Sequence, residues 1–139
     1  LQHNAYTYIT DISNYNKLGA PFEFLVDIDI ISGGNSTSGI GVGDGNTRYF
    51  FFLNSGYFEF ASYNGDWNYI IDWTVDLNIT PDGQMRILYQ NSKLTLYFDT
   101  HMLASIDFQL SSIDRVYLYS QGEKTIEFDN VELYGELIN

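Results

Sequence analysis

Apolar and polar residues alternate with a period of two along most of this chain. The clearest case is residues 22–31, where Phe22, Phe24, Val26 and Ile28 would share one face of an extended strand. Similar alternation occurs in residues 5–12, 40–42, 57–63, 69–79, 85–90 and 94–99. An alternating pattern places one set of side chains in a core and the other in water, so these segments predict β-strands.

Turn-forming residues separate the apolar segments, and no amphipathic segment has the length of a helix. Residues 13–21 are predicted to be a loop, and residues 101–105 and 110–114 short helical turns. Roughly ten to twelve short strands with no covering helix must bury their apolar faces against each other. The sequence therefore predicts an all-β fold, an antiparallel two-sheet β-sandwich formed by one domain, residues 1–139.

The stretch RVYLYSQGEKTIEFDNVELYG, residues 115–135, contains two extended apolar segments around a glycine-containing polar segment. This arrangement predicts a β-hairpin that turns at residues 121–124. In the second segment, Ile126 and Phe128 have one parity, whereas Val131 and Leu133 have the other. A β-bulge at Asp129 would return Val131 and Leu133 to the core, because one extra residue reverses the alternation.

The closing segment FDNVELYG resembles the last strand of concanavalin A-like jelly-roll domains. That superfamily includes lectins, laminin-G-like domains, carbohydrate-binding modules and laminarinase-type glycanases. The resemblance implies jelly-roll topology for this sandwich. It also implies a structural calcium ion between an early loop and the last strand, for which Asp129 is the best-placed ligand. Calcium prefers hard oxygen ligands such as carboxylates.

Composition limits the partners of the domain. The net charge of −12 would repel phosphate backbones and anionic membrane surfaces, so nucleic acid and lipid partners are not expected. The chain has no cysteine, which excludes a disulfide framework. The first residue is leucine instead of methionine, which suggests a processed or excised domain, and we expect a secreted or cell-surface protein.

Aromatic residues make up 17% of the chain, and one group of them lies in a polar turn. In Tyr63-Asn64-Gly65-Asp66-Trp67, two rings flank amide and carboxylate groups. Sugars present apolar C–H faces that stack on flat rings, and hydroxyl groups that bind amides and carboxylates. We therefore predict a carbohydrate site formed by Tyr63, Asn64, Asp66 and Trp67.

Several tyrosines alternate with core positions and would extend this site along the solvent side of one sheet. They are Tyr97, Tyr117 and Tyr119, with Tyr57 as a further member of the set. For each tyrosine taken alone, its preference for half-exposed strand positions is the favoured explanation, and only the set as a whole indicates an aromatic platform. Trp73 differs, because it shares the parity of Val75 and Leu77 and is predicted to lie in the core.

Two other functions are compatible with the pattern. The aromatic sheet face would suit a structural or adhesin domain that packs on a protein partner or on a second copy. The spacing E-x-D-x-x-E, formed by Glu127, Asp129 and Glu132, resembles the laminarinase-type motif, in which Glu127 and Glu132 would be nucleophile and acid/base. Asn130 departs from that motif, as does its position at the end of the chain, so we expect a non-catalytic domain.

Overall fold

The computed structural model describes residues 2–3, 7–11, 17–32, 37–44, 46–54, 57–74, 82–120 and 125–138. All regular secondary structure in these ranges is β-strand, so none of them contains a helix that would span a membrane. The strands are β1 (Gln2–His3), β2 (Thr7–Asp11), β3 (Lys17–Ser32), β4 (Ser38–Gly43), β5 (Arg48–Asn54), β6 (Tyr57–Tyr63), β7 (Trp67–Thr74), β8 (Asp82–Gln90), β9 (Lys93–Phe98), β10 (His101–Asp107), β11 (Ser112–Ile113), β12 (Arg115–Ser120) and β13 (Thr125–Ile138).

The strands form two antiparallel sheets that are not closed into a barrel, which confirms the predicted sandwich. The seven-stranded sheet has the order β1-β13-β3-β8-β9-β10, and β11 also pairs with β3. The six-stranded sheet has the order β2-β12-β4-β5-β6-β7. Strands β4 to β7 and strands β8 to β10 pair with their neighbours in sequence, whereas the pairs β13-β3, β3-β8, β2-β12 and β12-β4 join segments far apart in the chain.

One hydrophobic core lies between the two sheets. Strand β3 contributes the alternate residues Phe24, Val26 and Ile28 from the seven-stranded sheet. Phe51 on β5 and Phe60 on β6 belong to the same core from the six-stranded sheet, and neither has any exposed surface. The period-two alternation therefore identified the core-facing residues, because alternate side chains of a strand point to opposite faces.

The predicted terminal hairpin is wrong, although both of its strands exist. Strand β12 pairs with β2 and β4 in the six-stranded sheet, whereas β13 pairs with β1 and β3 in the seven-stranded sheet. An apolar strand, a short polar segment and a second apolar strand have the same sequence pattern whether the strands pair or face each other across a core. Alternation reports which face of a strand is buried, and it carries no information on the strand's partners.

The β-bulge predicted at Asp129 is confirmed. The register of β13 against β3 shifts between Asp129 and Glu132, and Asn130 has a φ of 48°. Leu133 then pairs with Phe24 and packs against the core, as expected. Val131 is 50% exposed, however, so its predicted core position is wrong. Val131 lies inside the bulge itself, where its side chain has no position in the regular alternation.

The predicted helical turns at 101–105 and 110–114 are also wrong, since the first lies in β10 and the second includes β11. Strand β10 has a register shift between Met102 and Ala104, which interrupts the alternation that would have revealed a strand. The loop predicted at 13–21 is a strand from Lys17 onward, where β13 pairs along it. Residues 75–79 of the predicted long strand, and the side chain of Trp73, lie outside the part of the chain that the structure describes.

Candidate functional site

The outer face of the six-stranded sheet carries a second cluster of aromatic side chains. Strand β5 lies between β4 and β6, and its sequence is apolar on both faces. Phe51 enters the core, whereas Phe50 and Phe52 point to the opposite side and are only 2% and 3% exposed. The members of this surface, called here the aromatic face, are Arg48, Phe50, Phe52, Glu59, Ala61, Tyr63, Trp67, Tyr69, Tyr117 and Tyr119.

Glycines on β4 allow the rings of the aromatic face to meet. Gly41 pairs with Phe50 on one side and with Tyr117 on the other, and Gly43 pairs with Arg48. A Cβ atom on Gly41 would lie 2.7 Å from a ring carbon of Phe50, and one on Gly43 would lie 2.7 Å from the Tyr117 hydroxyl oxygen. The rings of β5 and β12 therefore extend over β4, whose residues on this face are glycines. The centroids of Phe50 and Tyr117 are 5.4 Å apart.

A tight turn brings Tyr63 and Trp67 together. The backbone N–H of Asn64 donates to the carbonyl of Asp66 at 3.4 Å, and Gly65 has a φ of 112°, which favours glycine. Tyr63 and Trp67 are cross-strand partners with ring centroids 5.0 Å apart. Trp67 is 40% exposed, whereas Asn64 and Asp66 lie exposed in the turn.

Trp67 also reaches across the sheet toward β5 and β12. Its centroid is 5.7 Å from that of Phe50, 5.8 Å from that of Phe52 and 6.5 Å from that of Tyr119. The guanidinium carbon of Arg48 lies 5.9 Å from the centroid of Tyr63 and 5.5 Å from that of Tyr117. The structure thus brings together four predicted site residues: Tyr63, Trp67, Tyr117 and Tyr119.

Tyr97 does not join them. It lies on β9 in the seven-stranded sheet, where the guanidinium carbon of Arg86 is 4.5 Å from its ring centroid. Arg86 also forms an ion pair with Glu23 at 3.0 Å. The prediction that Tyr97 shares a sheet face with Tyr117 and Tyr119 is therefore wrong. An outward-facing tyrosine has the same sequence pattern in either sheet of a sandwich.

Sequence reasoning missed Glu59, the buried acid of the aromatic face. Glu59 pairs with Phe52 across β5 and β6, so both side chains point outward. It is only 3% exposed, and its Oε2 atom has no hydrogen-bond partner among the described residues. Burial, reinforced by the nearby charge of Asp72, raises the pKa of Glu59 from 4.5 to about 7. The available signal was the segment YFEFASY, where Glu59 shares parity with Ala61 and Tyr63.

The carboxylates near the predicted calcium position lie on the other sheet. Asp27, Asp29, Asp99, Glu127 and Asp129 line a pocket of about 370 Å³ beside β3, β8 and β13. A hydrogen bond with Asp82 is the main cause of the raised pKa of Asp29.

Asn130 donates hydrogen bonds to two carboxylates of this pocket. The Asn130 side chain donates to Asp27 at 2.6 Å, and the Asn130 backbone N–H donates to Asp129 at 2.8 Å. Within the ranges that the structure describes, no group of three or more His, Asp or Glu side chains is arranged to hold a metal ion. Calcium at Asp129 therefore stays a prediction.

The geometry of β13 does not favour the glycanase alternative. Glu127 pairs with Asp29 and Glu132 pairs with Leu25, four residues apart on β3. At about 3.3 Å per residue, their strand positions are separated by roughly 13 Å. A retaining glycosidase needs its two carboxyl groups only about 5 Å apart. Glu132 is also exposed and is not among the residues that line the acidic pocket.

No protein family model matches this chain, and no curated protein matches it. Solved structures do match. A carbohydrate-binding module, CBM66 from Bacillus subtilis, superposes with a TM-score of 0.74 and 16% identity over 95% of this chain and 84% of that one. The chain has a concanavalin A-like, jelly-roll β-sandwich fold.

Two animal galectins show the same fold. Sheep galectin-11, solved in complex with glycerol, matches with a TM-score of 0.68 and 13% identity, over 95% of this chain and 98% of that chain. The galectin LEC-6 of Caenorhabditis elegans matches with a TM-score of 0.64 and 8% identity, over 94% and 95%. The GH43 protein BlXynB of Bacillus licheniformis also matches, but the similarity covers only 28% of its length.

Proposed function

We propose that the aromatic face binds carbohydrate without catalysis, as a module of a secreted or cell-surface protein. The observation that carries this proposal is the combination of half-exposed Trp67, packed on Tyr63, with the buried carboxyl of Glu59 on the same sheet face, whose Oε2 atom has no hydrogen-bond partner among the described residues. Similarity in fold to a carbohydrate-binding module and to galectins supports it.

The chemistry of the face suits a sugar ring. The exposed part of Trp67 offers a flat surface for the C–H face of a pyranose or furanose. Tyr69, which is 50% exposed and pairs with Ala61, adds a hydroxyl group beside it. Asn64 and Asp66 would reach a bound glycan from the turn at the edge of the sheet.

Neutral glycans are the favoured class. The chain carries a net charge of −12, so a polyanionic glycan would be repelled over the whole surface. The described cations on this side of the sheet are Arg48, which lies over two tyrosine rings, and Arg115, which is hydrogen-bonded to Tyr117. A ligand whose affinity depends on ring stacking and hydroxyl contacts does not need a charged partner.

Binding to a glycan array, with and without Trp67→Ala, tests the proposal. We expect binding to at least one neutral glycan, weakened tenfold or more by Trp67→Ala, which corresponds to about 1.4 kcal/mol of lost stacking and burial. Tyr134→Ala is the matched control, because Tyr134 is 57% exposed on the seven-stranded sheet. Circular dichroism would verify that both variants are folded.

Failure to bind any glycan, with folding intact, would refute carbohydrate binding and favour a structural or adhesin domain. A protein partner would cover Trp67 and Tyr69, which stay exposed, but not Phe50, Phe52 and Tyr117, which are already buried within the chain. Calcium at Asp129 is a separate proposal. It predicts that a chelator and Asp129→Asn weaken binding or lower the melting temperature together.

A further inference from the structure

Glu59 has an environment that is costly for a carboxyl group. Glu59 is only 3% exposed, yet its Oε2 atom has no hydrogen-bond partner among the described residues. A buried polar atom without a partner costs about 1–3 kcal/mol, so such atoms are rare unless they have another role. Glu59 lies in the middle of the aromatic face, directly beside Phe52.

The groups that face Glu59 do not neutralise it. Asp72 on β7 is a second carboxylate, and its charge opposes ionisation of Glu59. Burial, with smaller contributions from Tyr69 on β7 and from Glu59, raises the pKa of Tyr119 on β12. Arg48 and Arg115 are the described cations on the same face. The strand position of Arg48 is four residues, or roughly 13 Å, from Phe52, the partner of Glu59, and Arg115 lies four residues from Tyr119 on β12.

We propose that Glu59 is the polar anchor of the site: its Oε2 atom is covered in the free protein, the side chain turns outward when a neutral sugar binds, and it then accepts a hydrogen bond from a sugar hydroxyl and releases to solvent the proton that it holds in the free protein. This inference rests on the carbohydrate-binding function proposed above. It adds a specificity-determining residue and a coupling between ligand binding and proton release.

The direction of the coupling follows from hydrogen-bond strength. A hydroxyl donating to a carboxylate forms a charge-assisted bond, about twice as strong as a bond between neutral groups. The sugar therefore stabilises the ionised form of Glu59, whose pKa is about 7 in the free protein, and lowers that pKa. An acidic sugar would instead place its own carboxylate near Glu59 and Asp72, which selects for neutral ligands.

Titration calorimetry at pH 5.5 and pH 8.0 tests the anchor, with lactose, cellobiose, maltose and sucrose as neutral probes and glucuronic acid as the anionic comparison. If binding lowers the pKa of Glu59 by one unit, affinity for a neutral probe rises about sevenfold from pH 5.5 to pH 8.0. Repeating the titration in two buffers of different ionisation enthalpy would show proton release near pH 7. Glu59→Gln, which preserves the shape of the side chain, would weaken binding at pH 8.0 and abolish the pH dependence.

The outcomes separate this inference from the function on which it rests. If a neutral probe binds in a Trp67-dependent way, but wild-type affinity is the same at both pH values and Glu59→Gln binds equally well, the anchor is refuted and the carbohydrate site stands. If neither the probes nor the glycan array shows any binding, both are refuted. The wild-type pH profile and proton release decide the question even where Glu59→Gln does not fold.

Discussion

Replacing Glu59 by glutamine should make this protein more stable at alkaline pH. The folded state raises the pKa of Glu59 from 4.5 to about 7, so between these values the folded protein binds the proton more tightly than the unfolded chain does. Stability therefore falls as the pH rises from about 4.5 to about 7, and it stays low above that range. Glutamine has nearly the same shape and never ionises, so the stability of the variant does not fall for this reason as the pH rises.

The magnitude follows from the size of the shift. A difference of about 2.5 units between 4.5 and 7 corresponds to about 3 kcal/mol at 1.36 kcal/mol per unit. About 2.5 kcal/mol of it falls between pH 5.0 and pH 8.0, because the unfolded chain is already mostly ionised at pH 5.0. That amount is a large fraction of the stability of an ordinary domain.

Urea denaturation of wild type and Glu59→Gln at pH 5.0, 6.0, 7.0 and 8.0 measures the effect. The comparison isolates Glu59, because all other groups titrate in both proteins. Glu132→Gln is the matched control, since Glu132 is exposed and lies on the seven-stranded sheet instead of the aromatic face. A stability difference between Glu59→Gln and wild type that is equal at pH 5.0 and 8.0 would refute the assignment of Glu59 as a buried acid.

Two further substitutions test the packing beneath the site, both by urea denaturation. Gly41→Ala should destabilise the fold by about 1–3 kcal/mol, because its Cβ would lie 2.6 Å from the carbonyl oxygen of Tyr49, a backbone atom that cannot move away without disturbing β4 and β5. Gly19→Ala, which meets the flexible end of an aliphatic side chain, should cost less, and an equal cost would contradict the crowding argument. Phe60→Ala should cost about 3–5 kcal/mol, because Phe60 is fully buried between the sheets, and a loss below 1 kcal/mol would contradict that placement.

Local order in the sequence was sufficient to predict most strands and the fold class. Strand β6 begins and ends where alternation predicts, and the parity change near Asp129 correctly located the bulge. These features depend on near neighbours, because successive side chains of a strand point to opposite faces. Residues 101–105 of β10 were missed for the same reason, since the register shift there removes the alternation.

The composition of the candidate site was only partly predictable. Tyr63 and Trp67 flank one turn, so their contact follows from a local element. Their contact with Tyr119 depends on the order β12-β4-β5-β6-β7, which joins segments far apart in the chain. Tyr97 was assigned to the wrong sheet because that order is invisible in the sequence.

The sequence by itself determined which residues of each strand face the core, the two-sheet architecture and the aromatic character of the site. Tertiary structure alone decided which strands are neighbours, so it separated β12 from β13 and placed Glu59 beside Phe52 and Asp72. The physical reason is the separation along the chain of the residues that set each property. Alternation is a property of consecutive residues, whereas strand pairing, burial of a charge and its pKa depend on groups brought together by folding.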